Sequence, residues 1–344
     1  MASAGAVTAS TAALSAAGAG TAAAAGPKPA SSGRSPFVPP QGPRVRVIAM
    51  NDYSCDPDGL AELVHQLMCT SRDLRAVIGG HGVYDGKDLF DPSLVQADRA
   101  TAIVQEVAAL MGKQKELKGK IHAGSNRPLS SRTTPRDTPA ARAIIAEALR
   151  TDTKVPLLVT AGGTLTDIAS AYLMEPAIAS KLTLLWIGGG SYPNGGAENN
   201  LNTDITAAQV IFNDSTMPIW QIPQSAYLQC LVGTSELEAR VKPRGRIGRY
   251  VWDAFYAQMV RLPLNQGETL LLGDNPLVLL SCLNAWFSPT LPPSSSFTNE
   301  FAPLINDNGT YTARTDGRKI RVFSQIDTRT MLSDFYSKLV INFR

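Results

Sequence analysis

The sequence predicts an α/β fold built on a mostly parallel, open sheet with helices on both faces. Two observations predict it. From residue 44 onward, short apolar runs alternate with segments of helical period, as strand–helix–strand crossover units require. The loops "NDYSCDPDG", "GGHGVYDG", "TAGGTLTD" and "GGGSYPNGGAENN" all follow such runs, and open parallel sheets bind ligands beyond the carboxyl ends of their strands. Their convergence predicts a single site.

The first strand is "VRVIAM" (45–50). The helix after it, "GLAELVHQLMCTS" (59–71), carries Leu60, Leu63, Val64, Leu67 and Met68 on one face. A second strand lies in "LRAVIGGHG" (74–82), a second helix in 92–113 and a short third strand in "KIHAGSN" (120–126). Then come a helix at 139–151, a strand at 155–163, a helix at 165–174, a strand at 182–190, a helix at 204–214 and a strand at 218–223. Residues 225 to 300 read as more helical, with helices at 234–243 and 248–260. The segment 311–340 reads as two strands and a closing helix.

Residues 1–43 differ in kind: Ala, Ser, Thr and Gly, then "GPKPASSGRSPFVPPQGP", leave too few large apolar side chains to offset the entropy of ordering. This segment is expected to be a disordered leader or linker, with one domain at 44–344. It is similar to the middle and cleavage parts of a bacterial export signal, although no charged region precedes it. Export is therefore favoured over a cytoplasmic location, and a low-complexity tail is the competing reading.

With 32 basic and 29 acidic residues the formal charge is +3, and the basic residues are scattered. That argues against a nucleic-acid partner. No apolar run is long enough to span a membrane. Cys55, Cys69, Cys230 and Cys282 stand singly, without the spacing of a zinc site or a disulfide framework.

The chemistry concentrates at residues 51–59, where Asp52, Asp56 and Asp58 crowd together after the first strand. Carboxylates this close repel, and one protonates unless a cation intervenes. Oxygen donors without a His or Cys cluster select Ca²⁺ or Mg²⁺. The plainer reading is that Asp58 caps the next helix while Asp52 and Asp56 are solvated. Of three histidines, His65 lies within a helix as a packing or surface residue, His122 sits at a strand end, and His81 is the candidate proton donor. Tyr53, Tyr84 and Tyr192 lie in site loops and are candidates to contact an aromatic ligand, whereas the four tryptophans read as core. The "GGG" at 188–190 reads as a tight turn rather than a phosphate loop, because no G-K-[ST] follows.

Four segments together resemble the nucleoside hydrolase family: "NDYSCDPDG", similar to its variant loop T-D-x-x-x-D-P-D-D; "LVTAGGTLTDIASAYLMEP"; "LLWIGGGSYPNGGAENNLNTDITAAQVIF"; and "LGDNPLVLL". "IDTRTMLSDFYSKL" is similar to its closing helix, so the resemblance covers nearly all of 44–344. It implies a Rossmann-like nucleoside hydrolase fold, bound Ca²⁺, and dimers or tetramers. It also implies that Asp52 binds calcium and accepts a proton from the attacking water. Asp58 and Asp274 would be further ligands, with the Gly162 carbonyl, and Asp56 a substitute ligand. Asp58, Asn194, Glu198 and Asn200 would hold ribose hydroxyls.

Three departures stand out. Gly59 replaces the second of the paired acids, Gly273 replaces a His that protonates the leaving base in many relatives, and Asn199 replaces a Phe. The implied function is hydrolysis of the N-glycosidic bond of ribonucleosides. A sugar-binding or weakly catalytic protein on the same fold, or a hydrolase of another glycoside, is the alternative.

Overall fold

The computed structural model describes residues 38–39, 42–82, 93–261, 267–284 and 294–343, all within the compact unit Gly33–Arg344. Most of the leader and Tyr84 lie outside the described residues. Strand β1 (Val45–Asn51) runs through the acidic turn into α1 (Pro57–Met68), and β2 (Arg72–Gly79) follows. Helices α2 (Gln96–Leu110) and α3 (Gln114–Leu117) precede β3 (Ile121–Ala123). The alternation continues through α4 (Pro139–Ala148), β4 (Leu157–Ala161), α5 (Thr166–Met174) and β5 (Thr183–Ile187). Then α6 (Asn199–Thr203) and α7 (Ile205–Gln209) lead to β6 (Ile219–Ile222).

The second half inserts α8 (Gln224–Tyr227), β7 (Leu231–Gly233), α9 (Thr234–Arg240), α10 (Gly245–Arg261), β8 (Thr269–Leu271) and α11 (Pro276–Val278). It ends with β9 (Ser296–Phe301), β10 (Leu304–Ile305), β11 (Tyr311–Thr312), β12 (Lys319–Gln325) and α12 (Thr328–Asn342).

Eight strands form one sheet in the order β3-β2-β1-β4-β5-β6-β12-β9. Neighbours pair in parallel up to β12, and only β9 runs antiparallel, at the edge. The order steps outward from β1 in both directions, so β1 and β4 flank the point where the winding reverses. A crevice opens there beyond the strands' carboxyl ends. β1 shows why the sheet is two-faced: Val47 and Ala49 join the core beneath α1, while Ile48 and Met50 join the core beneath α4 and α5. This is the period-2 alternation of a strand buried on both faces.

The predicted crossover elements are all present, with ends shifted by a few residues. Three details differ. The helix expected at 204–214 is α7 followed by a wider π-helical turn, Val210–Asp214. β11 pairs with β10 outside the main sheet. β9 and the antiparallel β7–β8 pair were not expected. These strands are short or carry exposed residues, so their apolar patterning is weak. No helix among the described residues is long and apolar enough to cross a membrane.

Candidate active site

Strand β1 ends on Asn51, and the next residues turn sharply into α1, with Pro57 at its first position. Pro pre-sets the helical φ and removes a donor that would go unpaired there. The turn therefore delivers Asp52, Asp56 and Asp58 within one helical turn of the strand's carboxyl end. The helix N-cap is Asp56, not Asp58, and its side chain makes no capping bond. Asp56 is exposed and accepts a hydrogen bond from Gln258 Nε2 at 3.1 Å. Asp58 is buried, and its Oδ1 accepts from Gly59 N–H at 2.9 Å.

A cavity of about 250 Å³ lies at this edge of the sheet, and Asp52, Asp56, Asp58, Gly162, Glu198, Asn200 and Asp274 all line it. No Lys, Arg or His is among its lining residues. Residues far apart in sequence meet because each follows a strand: Asp52 after β1, Gly162 after β4, Tyr227 after β6 and Asp274 after β8.

The electrostatics follow from that crowding. Burial, then the charges of Asp56 and Glu198, push Asp52 up to about 8. Asp58 is held well above the usual carboxylate range by burial and then by Asp274. Asp274 is raised well above it by burial and then by Asp52. Each carboxylate disfavours the charge of the others, with no basic side chain in the lining to offset them.

Glu198 is held differently. As the N-cap of α6 it accepts from Asn200 N–H at 3.1 Å and Leu201 N–H at 2.9 Å. It also accepts from Gly189 N–H at 2.7 Å and from the Tyr227 hydroxyl at 3.0 Å. The glycine run at 188–190 is thus a turn that serves Glu198. Asn200 Nδ2 donates to the carbonyls of Gly162 at 3.2 Å and Ile187 at 3.0 Å, which pins the amide between the ends of β4 and β5.

Other expected residues stand apart. His81 is buried outside the cavity lining, with Nδ1 2.9 Å from the Ser125 carbonyl oxygen, and burial lowers it to about 4. Asn194 is exposed and outside the lining, its carbonyl accepting from Tyr311 N–H at 2.9 Å. Tyr192 bonds Gln221 Oε1 at 2.9 Å and packs its ring on Tyr311. His65 is fully buried between Asp334 and Asn275, as a packing residue. Tyr53 lines a second cavity of about 360 Å³ with Leu60, Ile103 and Tyr250, which shares Cys55 and Asp56 with the first.

The sequence does not single out Gln224 or Tyr227, both in the lining. They follow β6, so the rule that flagged the other loops applied to "PQSAY" as well. A Cβ at Gly273 would come within 3.1 Å of Asp58 Oδ2 and 3.4 Å of Tyr227 Cδ2. A side chain at that position would therefore press on the Asp58 carboxylate.

Among the described residues, no three His, Cys, Asp or Glu side chains already form a metal cluster. The carboxylates of the cavity nevertheless suit a hard cation: three of them, Asp52, Asp58 and Asp274, are pushed up by burial and by one another.

An open, mostly parallel sheet with an acid-lined cavity beyond its carboxyl edge defines an α/β protein with a candidate ligand site at the winding reversal. The profile of the inosine-uridine preferring nucleoside hydrolases matches residues 61–285, and the chain belongs to that family. The matched segment begins just after the acidic turn.

Solved structures show the same fold. A plant nucleoside hydrolase is 18% identical with a TM-score of 0.63, over 86% of this chain and 99% of its own. A purine-preferring ribonucleoside hydrolase from Gardnerella vaginalis is 17% identical with a TM-score of 0.60, over 86% of this chain and 98% of its own. An inosine-guanosine nucleoside hydrolase is 15% identical with a TM-score of 0.64, over 87% of this chain and 99% of its own. No curated protein matches the sequence significantly.

Proposed function

We propose that the protein is a calcium-dependent N-ribohydrolase that cleaves ribonucleosides to ribose and free base. The observation that carries this reading is the cavity in which Asp52, Asp58, Asp274 and Glu198 converge with no basic residue in the lining. Asp52, Asp58 and Asp274 would hold the calcium, with the Gly162 carbonyl and Asp56 as further donors. An ion held there would supply a lowered pKa to a bound water and a fixed point for hydroxyl oxygens.

Asp52 accepts the proton of the attacking water, from a position just past the end of β1. Asn200 has both Nδ2 bonds committed to the Gly162 and Ile187 carbonyls, so its Oδ1 is aimed by the fold and receives a ribose hydroxyl. Asp58 and Glu198 accept from the sugar hydroxyls. Holding the ribose in this way turns binding energy into positioning. Cleavage develops positive charge on the ribose ring, and the surrounding carboxylates stabilise it.

The neighbouring cavity with Tyr53, Leu60 and Tyr250 is apolar enough to take an aromatic base. His81 is neutral near pH 7 and lies outside the lining, so it is not assigned the leaving-group proton. Tyr227 is also a poor acid, because burial and the Glu198 charge raise its pKa. The base therefore takes its proton from solvent. Asn194, being exposed, is assigned no ribose contact. Export is the favoured location, with a low-complexity tail as the competing reading of the Ala-rich leader, and the family's dimers or tetramers are the expected assembly.

The test is release of free base from a panel of purine and pyrimidine ribosides, with and without a chelator, for the native chain and Asp52→Ala. Chelator-sensitive turnover that the substitution abolishes is the expected result. Calcium binding without turnover of any riboside would instead favour a sugar-binding protein or a hydrolase of another glycoside.

A further inference from the structure

Asn51 is the last residue of β1 and is 1% exposed. Its Nδ2 donates to Asp274 Oδ2 at 3.0 Å, and its Oδ1 accepts from Asp52 N–H at 2.8 Å. One amide thus joins two cavity acids that the chain brings together from opposite ends of the domain. The space it occupies is cleared from two sides. A Cβ at Gly162 would lie 2.3 Å from Asn51 Nδ2, and a Cβ at Gly59 would lie 3.0 Å from its Cγ and Oδ1. These glycines belong to different segments, the loop after β4 and the first turn of α1.

We propose that Asn51 is the positioning residue of this site, its amide filling the room left by Gly59 and Gly162 and orienting Asp274 against Asp52. The kinetic part of the proposal rests on the hydrolase reading above; the structural part does not. It accounts for Gly59, which replaces the second of the family's paired acids. An Asp there would press on the Asn51 amide, its Cβ 3.0 Å from Cγ and Oδ1, and add a further negative charge beside Asp58. The amide presents a donor to Asp274, which a second carboxylate cannot do when ionised. Asn51 touches no substrate in this account; it acts through Asp52 and Asp274.

The test uses the full chain with Asn51→Ala, Asn51→Asp, Gly59→Ala and the Asn51→Ala/Gly59→Ala double variant. In a crystal structure of Asn51→Ala, the Asp274 carboxylate is expected to leave its position. Calorimetric titration with calcium alone is expected to show affinity weakened about 10- to 100-fold. Turnover is expected to lose kcat and kcat/KM together, the signature of an interaction that acts in the transition state. Asn51→Asp keeps the shape and the acceptor but loses the donor, so it should hold Asp52 while releasing Asp274.

Gly59→Ala should be less favourable to stability in the native chain than in the Asn51→Ala background, in chemical denaturation, because the side chain it presses on is gone there and the helix-propensity gain is common to both. An Asp274 carboxylate that stays within about 0.5 Å of its place in Asn51→Ala would overturn the proposal. So would additive effects of the two alanines. If the native chain neither binds calcium nor releases base, the hydrolase reading fails, while the crystal structures and the denaturation cycle still decide the role of Asn51.

Discussion

Glu198 shows how one side chain can serve fold and site together. Its two oxygens accept four hydrogen bonds, from the Gly189, Asn200 and Leu201 N–H groups and the Tyr227 hydroxyl. Glu198→Gln keeps the shape but turns an NH₂ group toward donors that need an acceptor. Each buried donor left unpaired costs about 1–3 kcal/mol. The variant should be less stable by that order in urea denaturation and should raise KM for a riboside, since the loop that frames the sugar is loosened. Unchanged stability would mean that these bonds are spare. The sequence marked Glu198 through the segment "GGAENN", but its bond to Tyr227 required β5 and β6 to be neighbours.

Among the elements, α4 depends on a charge cluster that also senses pH. Glu147 accepts from Arg46 on β1, from Arg75 on β2 at 3.0 Å and from Arg150 at 3.2 Å. Burial alone would raise its pKa; the bonds from Arg46 and then Arg75 outweigh it and hold Glu147 below its ordinary 4.5. A carboxylate depressed in the folded state stabilises above its unfolded pKa, and that stability is lost as pH falls through the folded value. The contribution of Glu147 should therefore be lost as pH falls below 4.5, and Glu147→Gln should remove that part of the pH dependence. At neutral pH the same variant leaves the buried Arg46 charge short of a partner and should cost about 3 kcal/mol in denaturant titrations. Helix α1 is held by apolar contacts instead: Leu63 is fully buried under the sheet, and Leu63→Ala should cost about 2–5 kcal/mol.

For the whole molecule, the proposed calcium site predicts a stability that depends on the cation. Calcium that binds only the folded chain adds ~2.7 kcal/mol at a hundredfold excess over its Kd. Differential scanning calorimetry should show Tm rising by a few degrees with calcium and falling back with chelator. No shift at millimolar calcium would count against the proposed ligand set.

The layered sheet is legible in the order of residues alone, because apolar period is local and each crossover unit carries its own strand and helix signature. That order also marks Asp52, Asp58, Glu198, Asn200 and Asp274, since each sits in a loop just beyond a strand or in a segment similar to the family's. Which candidate residues face one cavity and which do not depends on the packing of distant segments. His81 and Asn194 follow strands just as Asp52 does, yet one is buried outside the lining and the other is exposed. Side-chain direction after a strand depends on what neighbouring loops already fill, and such long-range packing leaves no periodic trace. Asn51 reads as an ordinary strand end until Gly59, Gly162 and Asp274 close around its amide.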